Sequence, residues 1–302
     1  MTADHSRTVF FTAVTAPHQI RGARLLIQSL RAFGGPLAGS PFWVFEANPT
    51  EAPSAQLAGD GIEILPLEPK GALRGYWYGS KVTACAAAEA RAEGSYSSCV
   101  WLATDCLIVQ PPDLFTLGPD IDVALRPVHH RNVGLSADVP LDAYWSRVYD
   151  ELGIDDVALV TPSFVEQEPL RAYFNTHALA VNPALGICRR WRDTFDALAG
   201  DAAFQSGACS DIPHRIFLHQ APFSPIVAIV IPEPRIRILP PTYSYPYNLH
   251  DDVPADRRPT SLNDLVSVAY EDRSLAPDTL SGIAVRDPLR TWLAERVDRP
   301  RS

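Results

Sequence analysis

The sequence predicts an α/β fold with a doubly wound, mostly parallel sheet, and three observations carry that prediction. Short runs rich in β-branched and aromatic residues recur at Arg7–Thr15, Pro41–Glu46, Ile62–Leu67 and Cys99–Ala103, with helical stretches between them; this is the strand–helix–strand rhythm of a parallel sheet. The runs are apolar at successive positions rather than alternating, as strands buried on both faces are. With 302 residues, of which 46% are hydrophobic and 20% charged, the chain can bury one large α/β core.

Taken in order, Arg7–Thr15 reads as a central first strand, followed after Pro17 by a helix over His18–Phe33. Ile20, Leu25, Leu26 and Leu30 recur near helical spacing, and Gly34-Gly35 ends the helix. A short helix is expected over Pro49–Ala58. Gly75-Tyr-Trp-Tyr-Gly-Ser-Lys81 leads into an alanine-rich helix running to Glu93, whose small side chains predict close packing on the sheet. Further strands are expected at Asp122–Val128, Ala172–Asn182, Arg235–Leu239 and Leu265–Tyr270. Helices are expected at Leu141–Leu152, from Pro183 to Leu198, at His214–Gln220 and, as an amphipathic terminal helix, at Pro288–Val297. Pro240–His250 reads as an aromatic, proline-rich loop, Asp251–Ser261 as an exposed connector, and Asp298–Ser302 as a frayed tail. There is no internal repeat.

Composition removes several function classes. The net charge is -9 and no run of Lys or Arg stands out, so no basic face is available for nucleic acid. The longest apolar stretch, Ile226–Ile231, is too short to span a bilayer. The polar start, Met-Thr-Ala-Asp-His-Ser-Arg, has no apolar core of a signal peptide, and a cytoplasmic location is expected. The five cysteines are odd in number and form no Cys-x-x-Cys pair, which fits reduced, packed thiols better than disulfides or a zinc site.

The informative stretch is Cys99-Val-Trp-Leu-Ala-Thr-Asp-Cys-Leu-Ile-Val-Gln-Pro-Pro112. Thr104 and Asp105 stand where a buried strand leaves the sheet, the edge at which open α/β sheets bind ligands. By itself the segment reads equally as a turn capped by Asp105. Other pieces line up with it in order. Phe11-Thr-Ala-Val-Thr15 is followed by Gln28-Ser-Leu30, then Trp101–Asp105 with Leu107–Pro111, Phe174-Asn-Thr-His177 with Ala178–Pro183, His219-Gln220, Leu239-Pro240 and Tyr247-Asn248.

In this order the motifs resemble the GT-A fold glycosyltransferases, and within them the family 8 type that includes glycogenin and bacterial galactosyltransferases. The resemblance covers roughly residues 8–270 and implies a single GT-A (Rossmann-like) domain over 1–302. Its nucleotide-binding half would be 8–132, its acceptor half 133–270, with a C-terminal helix and tail over 271–302. It implies transfer of a hexose from a nucleotide-diphosphate sugar to an unknown acceptor, retention at the anomeric carbon, and a divalent Mn²⁺ or Mg²⁺ held by Asp-x-Asp carboxylates that clamps the diphosphate. Carried over residue by residue, Thr12, Ala13, Thr15, Lys81, Thr104 and Asp105 would bind nucleotide, and Asp105 and His250 the metal. Asn175 and Gln220 would present amide dipoles to an oxocarbenium-like transition state, with His219 beside them.

The chain departs from that pattern where the chemistry sits. The first Asp of Asp-x-Asp is Ala103, the Gly after Asn-Thr is His177, and the acidic residue before Gln is His219. His219 is neutral near pH 7 unless paired and cannot replace a carboxylate. Lys81 and His219 read equally as ordinary helix residues, and His129-His130 lacks the i, i+4 spacing of a metal site. Tyr243, Tyr245, Tyr247 and Trp145 are candidates for stacking on an acceptor, or for packing. Two further readings remain: a GT-A-like nucleotide- or sugar-binding protein that has lost catalysis, and a nucleotidyltransferase. The latter needs a glycine-rich loop after the first strand, and Thr12-Ala-Val-Thr-Ala-Pro17 has none.

Overall fold

A computed structural model describes residues 5–47 and 54–297. The strands are β1 Thr8–Val14, β2 Phe42–Ala47, β3 Ile62–Leu67, β4 Ser98–Leu102, β5 Cys106–Ile108, β6 Val123–Pro127, β7 Val160–Pro162, β8 Pro169–Arg171, β9 Phe174–Val181, β10 Ile236–Ile238, β11 Tyr245–Pro246 and β12 Ser267–Ala269. The α-helices are α1 Gln19–Phe33, α2 Gly79–Ala92, α3 Ala143–Leu152, α4 Ile187–Gly200, α5 Ala202–Ser206, α6 Ile212–Phe217, α7 Phe223–Val230 and α8 Leu289–Arg296. The expected helix over Pro49–Ala58 is a 3-10 turn at Ser54–Leu57, its first part lying outside the described residues along with Asp298–Ser302.

The main sheet runs β10-β6-β9-β4-β1-β2-β3. Every neighbouring pair is parallel except the two that β9 makes, because β9 is antiparallel to both β4 and β6. β1 and β2 are buried at every position, as their unbroken apolar runs require. On one face α2 and α4 pack over Phe11, Trp101, Leu179 and Val181; on the other α1 covers Phe10, Val100, Leu102 and Ala180. A small sheet, β11-β12-β5, closes a third cluster around Leu107, Phe164, Tyr245, Tyr247 and Leu293.

The alanine-rich α2 lets Glu89 reach the start of α4. Its fully buried carboxylate accepts from the backbone N–H groups of Cys188 (2.8 Å) and Arg189 (3.0 Å) and from Arg189 Nε at 3.2 Å. These are orphan donors of a helix N-terminus, satisfied from a neighbouring helix. All five cysteines are buried and free. Among the described residues no helix is long and apolar enough to cross a membrane.

The tyrosines expected over the acceptor are core residues. Tyr243, Tyr245, Tyr247 and Trp145 are each at most 3% exposed. Tyr243 Oη accepts from Leu114 N, Tyr247 Oη accepts from Ser281 N, and Trp145 Nε1 donates to Val133 O. Prolines give this segment the look of a surface loop, but the tyrosines anchor it beneath β12. Glu89→Gln keeps the shape but weakens the bonds to the N-terminus of α4, so it is expected to cost about 2 kcal/mol, read as a lower urea midpoint with an unchanged slope.

Candidate active site

The site is built on the turn that joins β4 to β5. Ala103 N donates to His177 O (3.0 Å) and Cys106 N to Ala103 O (3.0 Å), so Thr104 and Asp105 project from a tight bend at the carboxyl edge of the sheet. Tyr270 N donates to Asp105 O at 3.0 Å and holds the bend from the far side. α1 approaches it at Gly22, where a Cβ would lie 2.4 Å from Thr104 O. Ser29, about two turns further on, accepts from Ile108 N (3.0 Å) and donates to Leu26 O (2.7 Å), fixing β5 against the helix.

A cleft of about 1080 Å³ opens over this bend. One wall comes from the end of β1 and the start of α1, where Gln19 Oε1 accepts from Thr15 N (2.7 Å), Thr15 Oγ1 (3.1 Å) and Ala16 N (3.3 Å). A second comes from Trp77, Tyr78, Ser80 and Lys81, and a third from Tyr270–Leu275 with Arg296. Trp77 and Tyr78 are each 48% exposed, large aromatic surfaces at the mouth.

At the floor, His177 Nε2 lies 2.7 Å from Asp105 Oδ1. Burial works against charge on both partners, yet their attraction wins. His177 is held well above the ordinary histidine pKa, and Asp105, drawn also by Lys81, is held below the ordinary carboxylate value. One departure from the family pattern thus meets what the pattern keeps, since the imidazole that replaces glycine bonds the one carboxylate that remains. Burial lowers the Lys81 pKa to about 8. Its Nζ donates to Thr176 Oγ1 (2.7 Å) and lies 5.3 Å from the centre of the Tyr78 ring.

Asp105, Cys106 and His177 have ligand atoms within 4.8 Å of one another, the one such group of three among the described residues. Cys106 is fully buried, and burial raises its thiol pKa, so it stays protonated. The usable donor set is one carboxylate and one imidazole. That pair fits Mn²⁺ better than Mg²⁺, which favours oxygen.

The other expected residues are distributed as follows. Ala13, Thr15, Lys81, Thr104 and Asp105 line the cleft; Thr12 is buried below it, with Oγ1 unpartnered. Gln220 lies one layer back. Its Oε1 accepts from Thr176 N (3.3 Å) and Oγ1 (3.4 Å), and its Nε2 donates to Tyr173 Oη at 3.2 Å. His219 is 4% exposed beneath Tyr78, ring centroids 4.1 Å apart, with Nδ1 bonded to Ile216 O at 2.8 Å. Burial and the Lys81 charge keep it neutral, with a pKa well below the usual value. Asn175 turns its Oδ1 onto His177 N (2.6 Å). His250 is not brought to Asp105; it is 1% exposed, with Nδ1 on Tyr245 Oη (2.8 Å) and Nε2 on Gly282 O (3.1 Å), outside the cleft lining. Chain order near the aromatic loop suggested a metal ligand, but the tyrosine packing draws the ring into the third cluster. The wall at Tyr270–Leu275 carries no motif and was not legible beforehand.

This sheet, with one reversed strand and a polar cleft at its carboxyl edge, has the GT-A fold. The chain belongs to the Rhodobacterales glycosyltransferase domain family, which matches residues 11–220. Among solved structures it is similar to an active-site mutant of LgtC, with 13% identity, 97% of this chain and 98% of that chain covered, and a TM-score of 0.55. It is also similar to galactosyltransferase LgtC in complex with donor and acceptor sugar analogs, with 12% identity, the same coverage and a TM-score of 0.53. No curated protein sequence matches the chain significantly.

Gly22→Ala forces α1 away from the Thr104 carbonyl and is expected to destabilise the protein by about 1–3 kcal/mol. Thermal unfolding should show this loss, whereas Gly39→Ala, with no atom within 4 Å of the new Cβ, should leave stability unchanged in the same measurement.

Proposed function

We propose that the chain transfers a hexose-type sugar from a nucleotide-diphosphate sugar, with the diphosphate seated over Asp105, His177 and Lys81. The observation that carries this reading is the grouping of these three side chains at the carboxyl edge of the sheet, inside the one cleft to which the β1 and α1 residues also contribute. Retention at the anomeric carbon is implied by the family 8 resemblance. A cytoplasmic location and an unknown sugar or aromatic acceptor complete the reading.

Chemically, the leaving diphosphate needs positive charge as the sugar–phosphate bond breaks. Lys81 supplies an ammonium that Thr176 orients. Gln220 in turn holds Thr176, so we assign Gln220 a positioning role through Thr176 and Lys81. Asp105 and His177 would hold Mn²⁺ weakly, and that ion, when bound, acts as a Lewis acid on the diphosphate. Without it, His177 as an imidazolium keeps one positive charge beside the phosphates. Trp77 and Tyr78 offer flat faces at the mouth for a base or an acceptor ring, and Tyr78 covers His219 and Lys81. Asn175 contributes by fixing the His177 backbone.

The bond between His177 and Asp105 also favours a second reading, a binding protein that has lost catalysis, because it occupies the carboxylate that would bind metal. Thermal unfolding against nucleoside diphosphates and nucleotide sugars, each with Mn²⁺ and with EDTA, separates the readings. A bound donor at a hundredfold excess over Kd adds about 2.7 kcal/mol of stability. Stabilisation together with sugar transfer to water or an acceptor supports the enzyme, stabilisation without turnover supports the binding protein, and no stabilisation by any nucleotide overturns both.

Lys81 gives a pH test. Its ammonium is present below a pKa of about 8 and is lost above it, so donor affinity should decline as pH rises through that value. Lys81→Met should bind more weakly, with a flat profile in the same range. Gln220→Ala should raise KM and lower kcat together if it acts through Lys81, while a loss confined to kcat would point instead to direct contact with the reacting sugar.

A further inference from the structure

On β6, beside β9, lies a buried cation that no group among the described residues neutralises. Arg126, on β6, is 2% exposed, and its guanidinium carbon lies 4.9 Å from the centre of the Phe164 ring. Its Nε and Nη2 have no hydrogen-bond partner. These two N–H groups form the side-on edge of the guanidinium, the pair that grips both oxygens of a carboxylate. Burial lowers its pKa, to about 10, and among the described residues no carboxylate acts on it. An uncompensated buried charge is expensive, and it persists where a partner of opposite sign completes it.

Three other buried polar atoms are orphaned in the same way. His129 Nε2, Ser244 Oγ and Asn248 Oδ1 are buried without partners. His129 bonds the Ser244 backbone, and burial with the charges of Arg126 and His177 keeps it neutral, its pKa well below the usual value. Its Nε2 is therefore a bare acceptor, as is Asn248 Oδ1, while Ser244 can donate or accept.

None of these four residues lines the cleft itself; the cluster is linked to it through His177, whose charge acts on His129. Arg126 stands opposite Asn175 in the β6–β9 register, just past the register shift that follows Ala124. Directly opposed residues share a face, and so do residues two apart on one strand. Arg126, Asn175 and His177 therefore project to the same side, and His177 lines the cleft. The Cα of Arg126 is about 8 Å from that of His177 by strand geometry, a span that one pyranose ring bridges. Asn248 meets the cleft from the other side through its bond to Glu271, a lining residue.

We infer that Arg126, with His129, Ser244 and Asn248, forms a subsite for the carboxylate of a hexuronic acid, the guanidinium edge taking the carboxylate and the two bare acceptors taking ring hydroxyls. The inference rests on the glycosyl-transfer reading above and names the class of sugar that the site prefers. A neutral hexose offers a hydroxymethyl group at the same carbon and leaves the cation uncompensated. The carboxylate belongs either to the donor sugar or to the acceptor.

The test is a binding titration of the whole protein with UDP-glucuronate, UDP-galacturonate, UDP-glucose and UDP, repeated with GDP and ADP counterparts, and with free glucuronate in the presence and absence of the nucleotide. The nucleotide-linked uronate should bind at least tenfold more tightly than the matching hexose if the carboxylate is the donor's. A preference only for free uronate on the nucleotide-loaded protein assigns it to the acceptor. Equal affinity for uronates and hexoses in both arms overturns the subsite while leaving the nucleotide site intact. If no nucleotide binds, the glycosyl-transfer reading fails, and the free uronate arm still decides the subsite: saturable binding keeps it and none overturns it. Arg126→Met should erase the preference and Arg126→Lys should retain part of it, since a lysine keeps the charge without the fork. An undiminished preference in Arg126→Met overturns the assignment, and the wild-type comparison stands should that variant fail to fold.

Discussion

The reversed strand β9 is the constraint on which the rest of the site depends. It is wedged between two strands that run the other way, so its amino-terminal end arrives at the carboxyl edge of the sheet. A parallel sheet delivers only strand ends and loops to that edge. Here an ordered strand delivers Asn175, Thr176 and His177 there. Thr176 O accepts from Trp101 Nε1 (3.1 Å), and His177 O accepts from Ala103 N, so the strand and the β4–β5 bend are fixed as one piece. The irregular pairing with β6 then turns Thr176 toward α2 and His177 toward Asp105. Bulges that re-aim side chains beside a cleft are a recurring device.

Behind that strand a second layer carries polar groups that would be costly alone. Gln220, Thr176 and Lys81 form a chain of hydrogen bonds from the buried Tyr173 hydroxyl to the cleft. His219 is covered by Tyr78, whose backbone takes the left-handed conformation at the start of α2 (φ 60). This conformation is uncommon for a bulky residue. It turns the Tyr78 ring back over Lys81 and His219, leaving the ring half-exposed at the mouth of the cleft. Rigidity at the donor end and aromatic exposure at the mouth are thus products of one short segment, Gly75–Lys81.

The sequence carried the sheet well because its signals were local. β3 begins and ends where its apolar run does, and β1, β4 and β9 fall within two residues of the expected spans. The Gln28-Ser-Leu30 step, read only as part of a pattern, has a physical role in the bond from Ile108 N to Ser29. What local reading missed was decided by long-range packing. The helix over Phe223–Val230 and the β7–β8 hairpin carry no strong periodicity or turn signal, and the tyrosines of Pro240–His250 sit among prolines that mimic a surface loop. The carboxylate of Asp105 was legible and its partner was not, because residues 105 and 177 meet only once β9 is reversed against β4.

That pairing changes the electrostatics of the site in a way that single substitutions do not reveal. Two carboxylates and a divalent ion sum to zero; one carboxylate and one imidazolium also sum to zero. With Ala103 in place of Asp and His177 in place of Gly, the charge that a diphosphate would meet in the proposed donor site is therefore the same, with the positive member supplied by the chain. The imidazole cannot serve both purposes at once. As a cation it donates to Asp105, and as a ligand it must give up that proton. Proton and metal compete for the same nitrogen, so the raised affinity of His177 for its proton weakens any ion bound there. The polar floor is best understood as one compensated pair, of which Asp105 is the half that the strand end announces and His177 the half that the fold supplies.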